Sequence, residues 1–127
     1  MILGIGIDIV EVDRIGAAIA RTAFQERVYT PAERAYCDSR GAQRHASYAA
    51  RFAAKEAVMK ALGTGLRGGT WQDIEILLNE LGRPEVRLTG YFAARAAELA
   101  VSKVHVSLSH TRDYAAAQAV AEGGTDA

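Results

Sequence analysis

The sequence predicts an α+β domain in which a mainly antiparallel sheet packs on one long helix. Three observations favour this class. An apolar run at residues 2–10 has the composition of a strand, and an alanine-rich segment at 43–62 has that of a long helix. Two later strand-like segments, 104–109 and 114–121, are close enough to form a hairpin. Strands and helices mixed along the chain, with a hairpin among them, are typical of α+β proteins.

The length and charge limit the possible organisation. The 127 residues allow one domain with a small core, which we place at 1–121, followed by a polar tail at 122–127. Fifteen basic residues balance fifteen acidic residues, so the chain lacks an overall basic field and we expect no nucleic-acid partner. Twelve of the basic residues are arginines, whose planar forks suit phosphate and carboxylate groups.

Cysteine usage and the N-terminus indicate a compartment. Cys37 is the single cysteine and cannot form an internal disulfide, which favours a reducing environment. The segment after Met1 lacks the positive region and cleavage site of a signal peptide, and no apolar run is long enough to span a bilayer. We therefore expect a cytoplasmic protein with no membrane partner.

The first strand has two unlike faces. One face is apolar and the other carries two glycines and a carboxylate; the first set is Leu3, Ile5, Ile7 and Ile9, and the second includes Gly4, Gly6 and Asp8. Glycine inside a strand often marks the close approach of a ligand or of another backbone. The face with Asp8 is therefore the one that we expect to carry chemistry.

The remaining elements follow from periodicity and capping signals. Apolar spacing predicts a helix over 11–24, and TPAE at 30–33 has the form of an N-cap with proline at the first helical position. The long helix should end at the GTG of 63–65. Further predictions are strands at 71–78 and 86–88, a helix from Thr89 to Leu99, and a hairpin turn at 111–113.

Asp8 is the first candidate site residue. A carboxylate midway along an apolar strand is costly to bury unless it is paired with a cation or binds a metal. An ordinary salt bridge and a functional role are about equally consistent with this feature alone.

Glu56 and Lys60 are the second candidates, and they share one face of the long helix because they stand four residues apart. In a functional interpretation, Glu56 is a hard oxygen ligand for a divalent cation and Lys60 meets a phosphate. The alternative is an exposed ion pair within the helix, worth roughly 0.3–0.5 kcal/mol. Taken alone, the pattern favours the alternative.

Ser109 and His110 are the third candidates and point to opposite faces of the predicted strand. Ser109 could donate to a phosphate, and His110 at the strand end could take part in proton transfer. A lone histidine is more often structural. No dinucleotide fingerprint, P-loop, Cys/His zinc pattern or nucleophile elbow accompanies these residues.

Together these stretches strongly resemble the holo-acyl-carrier-protein synthases, the short phosphopantetheinyl transferases, from Leu3 to about Ala121. The three principal motifs are GIDIVEV at 6–12, RFAAKEA at 51–57 together with KALGTG at 60–65, and VSLSHT at 106–111, with TPAE at 30–33 and LGRP at 81–84 between them. Three principal motifs in the right order and spacing are far more specific than any one of them. The resemblance implies a 4′-phosphopantetheinyl transferase-like fold.

The resemblance also implies an activity. The family moves the 4′-phosphopantetheine group of coenzyme A to a serine of an acyl carrier protein and releases adenosine 3′,5′-bisphosphate, with Mg2+ as cofactor. Asp8 and Glu56 match the metal-binding carboxylates, and Lys60 matches a lysine that contacts the coenzyme A phosphates. The coenzyme A site is matched by Arg51, Lys60, Gly63, Ser109 and His110.

The family resemblance further implies a homotrimer with active sites between subunits. It implies that the first helix presents basic residues, here Arg14 and Arg21, to an acidic carrier protein. The base that takes the serine proton stays open among Glu33, His110, Glu56 and a metal-bound water. The alternative to an enzyme is a coenzyme A-binding module of the same fold that has lost the reaction.

Overall fold

The computed structural model describes residues 1–124, which form two sheets and five α-helices. The strands are β1 (Ile2–Glu11), β2 (Ile74–Leu78), β3 (Pro84–Leu88), β4 (Val101–His110) and β5 (Tyr114–Gly123). The helices are α1 (Val12–Ala18), α2 (Thr22–Val28), α3 (Pro31–Asp38), α4 (Arg44–Ala61) and α5 (Gly90–Glu98), with 3-10 turns at Gly41–Gln43 and Trp71–Asp73. None of these helices is long and apolar enough to cross a bilayer.

Both sheets are antiparallel. The larger one has the order β1-β5-β4, and β2 and β3 form a separate hairpin. Helix α4 packs across β1 and β5, and it forms the centre of the core. The predicted α+β class, with a long helix under an antiparallel sheet, is confirmed.

Helix α4 approaches β1 almost backbone to backbone. A Cβ atom added to Gly4 would overlap the carbonyl oxygen of Ala61, and one added to Gly6 would overlap that of Ala57. The space above Gly4 and Gly6 is therefore occupied by the α4 backbone and not by a ligand. Of the two explanations for strand glycines, close approach of another backbone applies here.

The inward face of β5 permits the same close packing. The inward residues of β5 are four buried alanines followed by a glycine: Ala115, Ala117, Ala119, Ala121 and Gly123. These small side chains face an α4 surface that is itself rich in alanine. The helix and the sheet can therefore approach without large interlocking side chains, and the position of α4 over β1 is tightly defined.

The apolar face of β1 points away from the core. Ile5, Ile7 and Ile9 are 64%, 65% and 64% exposed, and Leu3 lies beside them. The partner residues of β5 on this face include Ala116 and Val120, which are only half-buried. The outward face of the larger sheet is therefore an apolar patch, here called the isoleucine face and defined by Leu3, Ile5, Ile7 and Ile9.

The predicted helix over 11–24 is wrong, because the chain turns between α1 and α2. Backbone N–H groups of Ala20 and Arg21 bond three residues back, and the Gln25 side chain donates to the Ile19 carbonyl oxygen at 2.6 Å. Arg21 is extended and precedes α2, so it lies at this turn and not in the first helix.

Several strand limits also differ from the predictions, and β3 and β4 begin earlier, at Pro84 and Val101. Residues 71–73 form a 3-10 turn, because the Asp73 side chain accepts the N–H of Thr70 in a capping box. Strand β5 continues to Gly123, two residues past the expected end of the domain, and Gly123 pairs with Val101. Residues 125–127 of the expected tail lie outside the described residues.

Candidate active site

Asp8, Glu56 and Lys60 come together where β1 crosses α4. The Lys60 Nζ atom lies 3.3 Å from Asp8 Oδ1 and donates to the Ile7 carbonyl oxygen at 2.8 Å. The Asp8 side chain is 19% exposed and the Lys60 side chain 53% exposed, so the group is open to solvent on one side. Lys60 pairs with Asp8 across two elements, and the ion pair that the spacing offered with Glu56 does not form.

Glu56 completes this cluster as a second carboxylate. Burial raises the pKa of Glu56, the negative charge of Asp8 raises it further, and the positive charge of Lys60 opposes both effects. The influence of Asp8 shows that the two carboxylates are close enough to repel each other. Two half-buried carboxylates without enough positive charge between them are an arrangement that a cation stabilises.

The end of α4 is fixed by the Gly-Thr-Gly segment. Gly63 has φ +69°, and its N–H bonds to the Lys60 carbonyl while the Thr64 N–H bonds to that of Met59. These two bonds form a Schellman motif, which only glycine enters without strain. Gly63 is exposed and three residues from Lys60, so the helix ends beside the carboxylate cluster.

Arg51 lies on another side of α4, about 140° around the helix axis from Glu56. Its guanidinium carbon is 4.4 Å from the centre of the Tyr36 ring, and the side chain is buried. The Nη1 atom donates to the Ser47 carbonyl at 3.4 Å, and the Nε atom has no partner within residues 1–124. A guanidinium has five N–H donors, so Arg51 retains hydrogen-bonding capacity for an anion.

Glu33 is fully buried and is not part of the carboxylate cluster. Its Oε1 accepts the N–H of Thr30 at 2.8 Å in a capping box, and its Oε2 accepts the N–H of Ile76 at 2.8 Å. The Lys55 ammonium lies 2.8 Å from Oε1, and both side chains are fully buried. All the partners of Glu33 are structural, so a substrate proton cannot reach it.

Lys55 is the functional candidate that the sequence reasoning missed. It precedes Glu56, but it points to a different side of α4, toward Glu33 and the carbonyl oxygens of Trp71 and Ile74. Burial lowers its pKa, and the charge and hydrogen bond of Glu33 raise it. One sequence feature could have indicated this buried charge: Lys55 stands four residues after Arg51, on a face of the helix that is otherwise apolar.

Ser109 and His110 are not brought to the cluster within one chain. The register of β1, β5 and β4 places Ser109 level with Ile9 on the outward sheet face, opposite to the face of Asp8. His110 is on the same face as Asp8 but two strands away, roughly 12 Å between Cα positions from the strand spacing. His110 lines a separate cavity of about 680 Å³ with the basic residues Arg44, His45 and Arg112.

The two arginines assigned to the carrier protein are both exposed. Arg14 lies on α1 and Arg21 on the turn before α2. Neither takes part in an ion pair within the described chain, so their charge is available to a partner.

The cluster fits a magnesium ion only as part of a larger ligand set. No group of three or more His, Cys, Asp or Glu side chains that could hold a metal occurs within residues 1–124. Mg2+ in phosphate-transferring enzymes is bound through one or two carboxylates, several waters and the substrate phosphates. Asp8 and Glu56 supply two oxygen donors of the right type, and their mutual repulsion provides a reason to bind a cation.

A family model and individual relatives both place the chain among the phosphopantetheinyl transferases. Residues 4–119 match the family described as the 4′-phosphopantetheinyl transferase superfamily. A holo-acyl-carrier-protein synthase of Koribacter versatilis is 51% identical over 125 residues, which are 96% of this chain and 99% of the relative.

Solved structures agree over the whole fold. The holo-acyl-carrier-protein synthase of Neisseria meningitidis superposes with a TM-score of 0.87 at 38% identity, covering 96% of this chain and 99% of that one. The Bacillus anthracis synthase in complex with coenzyme A (3′,5′-ADP) superposes with a TM-score of 0.80 at 36% identity, covering 98% and 99%. The motifs, the fold and these relatives agree, and the chain belongs to the holo-acyl-carrier-protein synthase family of the 4′-phosphopantetheinyl transferase superfamily.

Proposed function

We propose that this chain transfers the 4′-phosphopantetheine group from coenzyme A to a serine of an apo acyl carrier protein. The observation that best supports this function is the grouping of Asp8, Glu56 and Lys60 on one solvent-exposed side of α4 in a chain of this family. The serine oxygen forms a bond to the phosphorus that bears the pantetheine arm. The bond from that phosphorus to the leaving oxygen breaks, and adenosine 3′,5′-bisphosphate departs.

Asp8 and Glu56 would hold the Mg2+ ion that this reaction uses. When bound, the ion supplies positive charge to the pyrophosphate oxygens. The two carboxylates come from different elements, and the glycine contacts between β1 and α4 hold those elements together. Preorganised ligands need little rearrangement when the substrate arrives.

Lys60 and Arg51 would neutralise the phosphates of coenzyme A. Lys60 is half-exposed and can turn from Asp8 toward an incoming phosphate, since its four-carbon stem is flexible. Arg51 has unused donors in a buried position, where a charge-assisted hydrogen bond is stronger than in water. Transfer of a phosphoryl-type group depends mainly on such positioning and neutralisation.

The proton of the carrier serine needs an acceptor near the carboxylate cluster. Glu33 is excluded by its buried position and its three structural partners. Glu56 lies in the cluster itself, whereas His110 of the same chain is two strands away. We therefore favour Glu56, directly or through a water, as the group that receives this proton.

We also propose that the enzyme is a homotrimer with active sites shared between subunits. The isoleucine face supports this, because a contiguous exposed apolar patch on a small chain usually marks an interface. Ser109 supports it as well, since it lies on the outward sheet face and can serve only a site formed with a neighbouring chain. A cyclic assembly would repeat the same cleft at every interface.

The carrier protein would dock on the exposed surface that holds Arg14 and Arg21. Acyl carrier proteins are the substrates named for the relatives, and the two arginines would attract an acidic carrier. Because these charges are exposed, carrier affinity should fall with salt. The product would serve fatty-acid or polyketide synthesis, and the buried free thiol of Cys37 is compatible with a cytoplasmic location.

A transfer assay tests this function directly. The purified protein is incubated with coenzyme A, Mg2+ and an apo acyl carrier protein, and the carrier is weighed by mass spectrometry. We expect a gain of one phosphopantetheine that disappears when the divalent cation is chelated. A folded protein that binds coenzyme A but modifies none of several competent carriers would instead be a binding module.

A further inference from the structure

The Glu33–Lys55 ion pair is the one fully buried pair of opposite charges in the described chain. It lies on a different side of α4 from the carboxylate cluster and takes no part in the proposed reaction. Removing two charges from water is costly, and apolar residues often replace such pairs without loss of stability. The pair therefore calls for an explanation other than stability.

Lys55 joins α4 to three other parts of the fold. Its three N–H donors reach the Glu33 carboxylate on α3, the Trp71 carbonyl at 3.1 Å and the Ile74 carbonyl. Glu33 in turn accepts the N–H groups of Thr30 and Ile76. Each donor and acceptor has a partner in a fixed direction, whereas apolar packing has no preferred direction.

Directional bonds at Lys55 fix the rotation of α4 about its axis. The glycine contacts on the other side of the helix fix its distance from β1, since the carbonyls of Ala57 and Ala61 rest against Gly6 and Gly4. Glu56 is the next residue after Lys55, about 100° around the helix. A small rotation of α4 would therefore swing the Glu56 carboxylate away from Asp8.

We propose that the buried Glu33–Lys55 pair is a positioning device that sets the rotation of α4 and so holds Glu56 opposite Asp8 for cation binding. This inference rests on the proposed function, because it assigns the cluster a divalent cation. Neither Glu33 nor Lys55 touches the substrate in this role. Its expected signature is a weakened cation site in a folded protein.

Mn2+ binding provides a measurement that does not depend on turnover. The full-length protein, with and without coenzyme A, is titrated with Mn2+, and the free ion is counted by its EPR signal. Glu33→Gln and Lys55→Met should each weaken Mn2+ binding about 10-fold or more, the usual effect of removing a group that orients a metal ligand. In the transfer assay, raising Mg2+ should restore kcat in Glu33→Gln while the KM for coenzyme A changes little.

Val58→Ala is the matched control. Val58 is fully buried on the same side of α4 as Lys55, so its truncation removes packing but no directional bond. It should lower the melting temperature and leave Mn2+ affinity within about twofold of the wild type. Glu33→Gln is nearly isosteric, so it keeps the test available if Lys55→Met does not fold.

The outcomes separate the two proposals. A folded Glu33→Gln protein with wild-type Mn2+ affinity would overturn the positioning role and leave the transferase function intact. A Val58→Ala protein that loses Mn2+ as strongly as Glu33→Gln would also overturn it, since general loosening would then be sufficient. If the wild-type protein binds no Mn2+ even with coenzyme A, this result would rule out the metal site and, with it, the positioning role.

Discussion

Lys60 of α4 and Asp8 of β1 form an ion pair with 3.3 Å between Nζ and Oδ1, and the same ammonium binds the carbonyl oxygen next to Asp8. The lysine is half-exposed, and pairs of this kind contribute about 1 kcal/mol or less to stability. The fold does not depend on this contact. Substitutions in the cluster can therefore separate activity from folding.

Asp8→Asn should abolish most transfer while the protein stays folded. The amide keeps the size of the side chain, and Lys60 retains its bond to Ile7, but one negative charge of the proposed cation site is lost. We expect activity to fall at least about 100-fold, beyond the usual effect of losing a group that merely orients a ligand. Mass spectrometry of the carrier measures the rate, and circular dichroism checks the fold.

Asp13→Asn is the control for that variant, because Asp13 is an exposed carboxylate in the first turn of α1. Its activity should equal that of the wild type. Equal losses in both variants would indicate a general effect of charge and contradict a specific role for Asp8.

Gly6→Ala should destabilise the protein strongly. The added methyl group would overlap the Ala57 carbonyl oxygen, which belongs to a helix backbone that cannot move aside locally. We expect a loss of about 2 kcal/mol or more, at the upper end of overpacking effects. Gly65→Ala is the control, since no atom lies within 4 Å of its added Cβ. Thermal unfolding of both variants would show the difference, and similar melting temperatures would contradict the close contact.

Ile7→Lys should break the proposed trimer. The wild type should have a mass of about 41 kDa in light scattering, for three chains of 13.6 kDa each. A charge in the middle of the isoleucine face should give a single chain with little transferase activity. Leu81→Lys is the control, because Leu81 is 84% exposed at the tip of the β2–β3 hairpin, which belongs to the other sheet. A trimeric Ile7→Lys protein would place the interface elsewhere.

Cys37 should be unreactive in the native protein. Burial raises the pKa of its thiol to about 12, and Glu33 and Asp38 add to the shift while Arg51 opposes it. At pH 8 only about one thiol in 10,000 is then ionised, and the side chain is buried away from solvent. Labelling with a disulfide reagent should proceed at the rate of unfolding. Rapid labelling without denaturant would contradict this packing.

The same shift has a consequence for stability at high pH. An unfolded thiol ionises near its ordinary pKa of 9.0, whereas the folded thiol keeps its proton up to about 12. The free energy of unfolding should therefore decrease as the pH rises from 9 toward 12. Cys37→Ala should show a smaller decrease in denaturant titrations over this range.

Much of the fold could be predicted because its signals are local. The Thr30–Glu33 capping box, the alanine-rich α4 and the glycine that ends it are all recognisable in short stretches of sequence. The break between α1 and α2 could not be predicted, because no glycine or proline marks it. It depends on Gln25 reaching back to Ile19, which is visible only in three dimensions.

The site was predictable in part for the same reason. The motifs indicate that Asp8, Glu56 and Lys60 act together, and the structure places them together. The motifs do not indicate that Lys60 pairs with Asp8, nor that Glu33 forms a buried ion pair with Lys55. Which partner a charge selects depends on the rotation of α4 over the sheet, and a sequence pattern does not carry this information.

The backbone contacts of Gly4 and Gly6 with α4 also determine how the protein opens. Because no side chain separates the strand from the helix there, the two elements cannot part by a rotamer change or by the movement of a loop. The amide hydrogens of β1 that bond to β5, and those of α4 at 57–61, should exchange with solvent only when the whole domain unfolds. The backbone that carries Asp8 and the helix turn that follows Glu56 should thus be among the slowest-exchanging parts of the molecule.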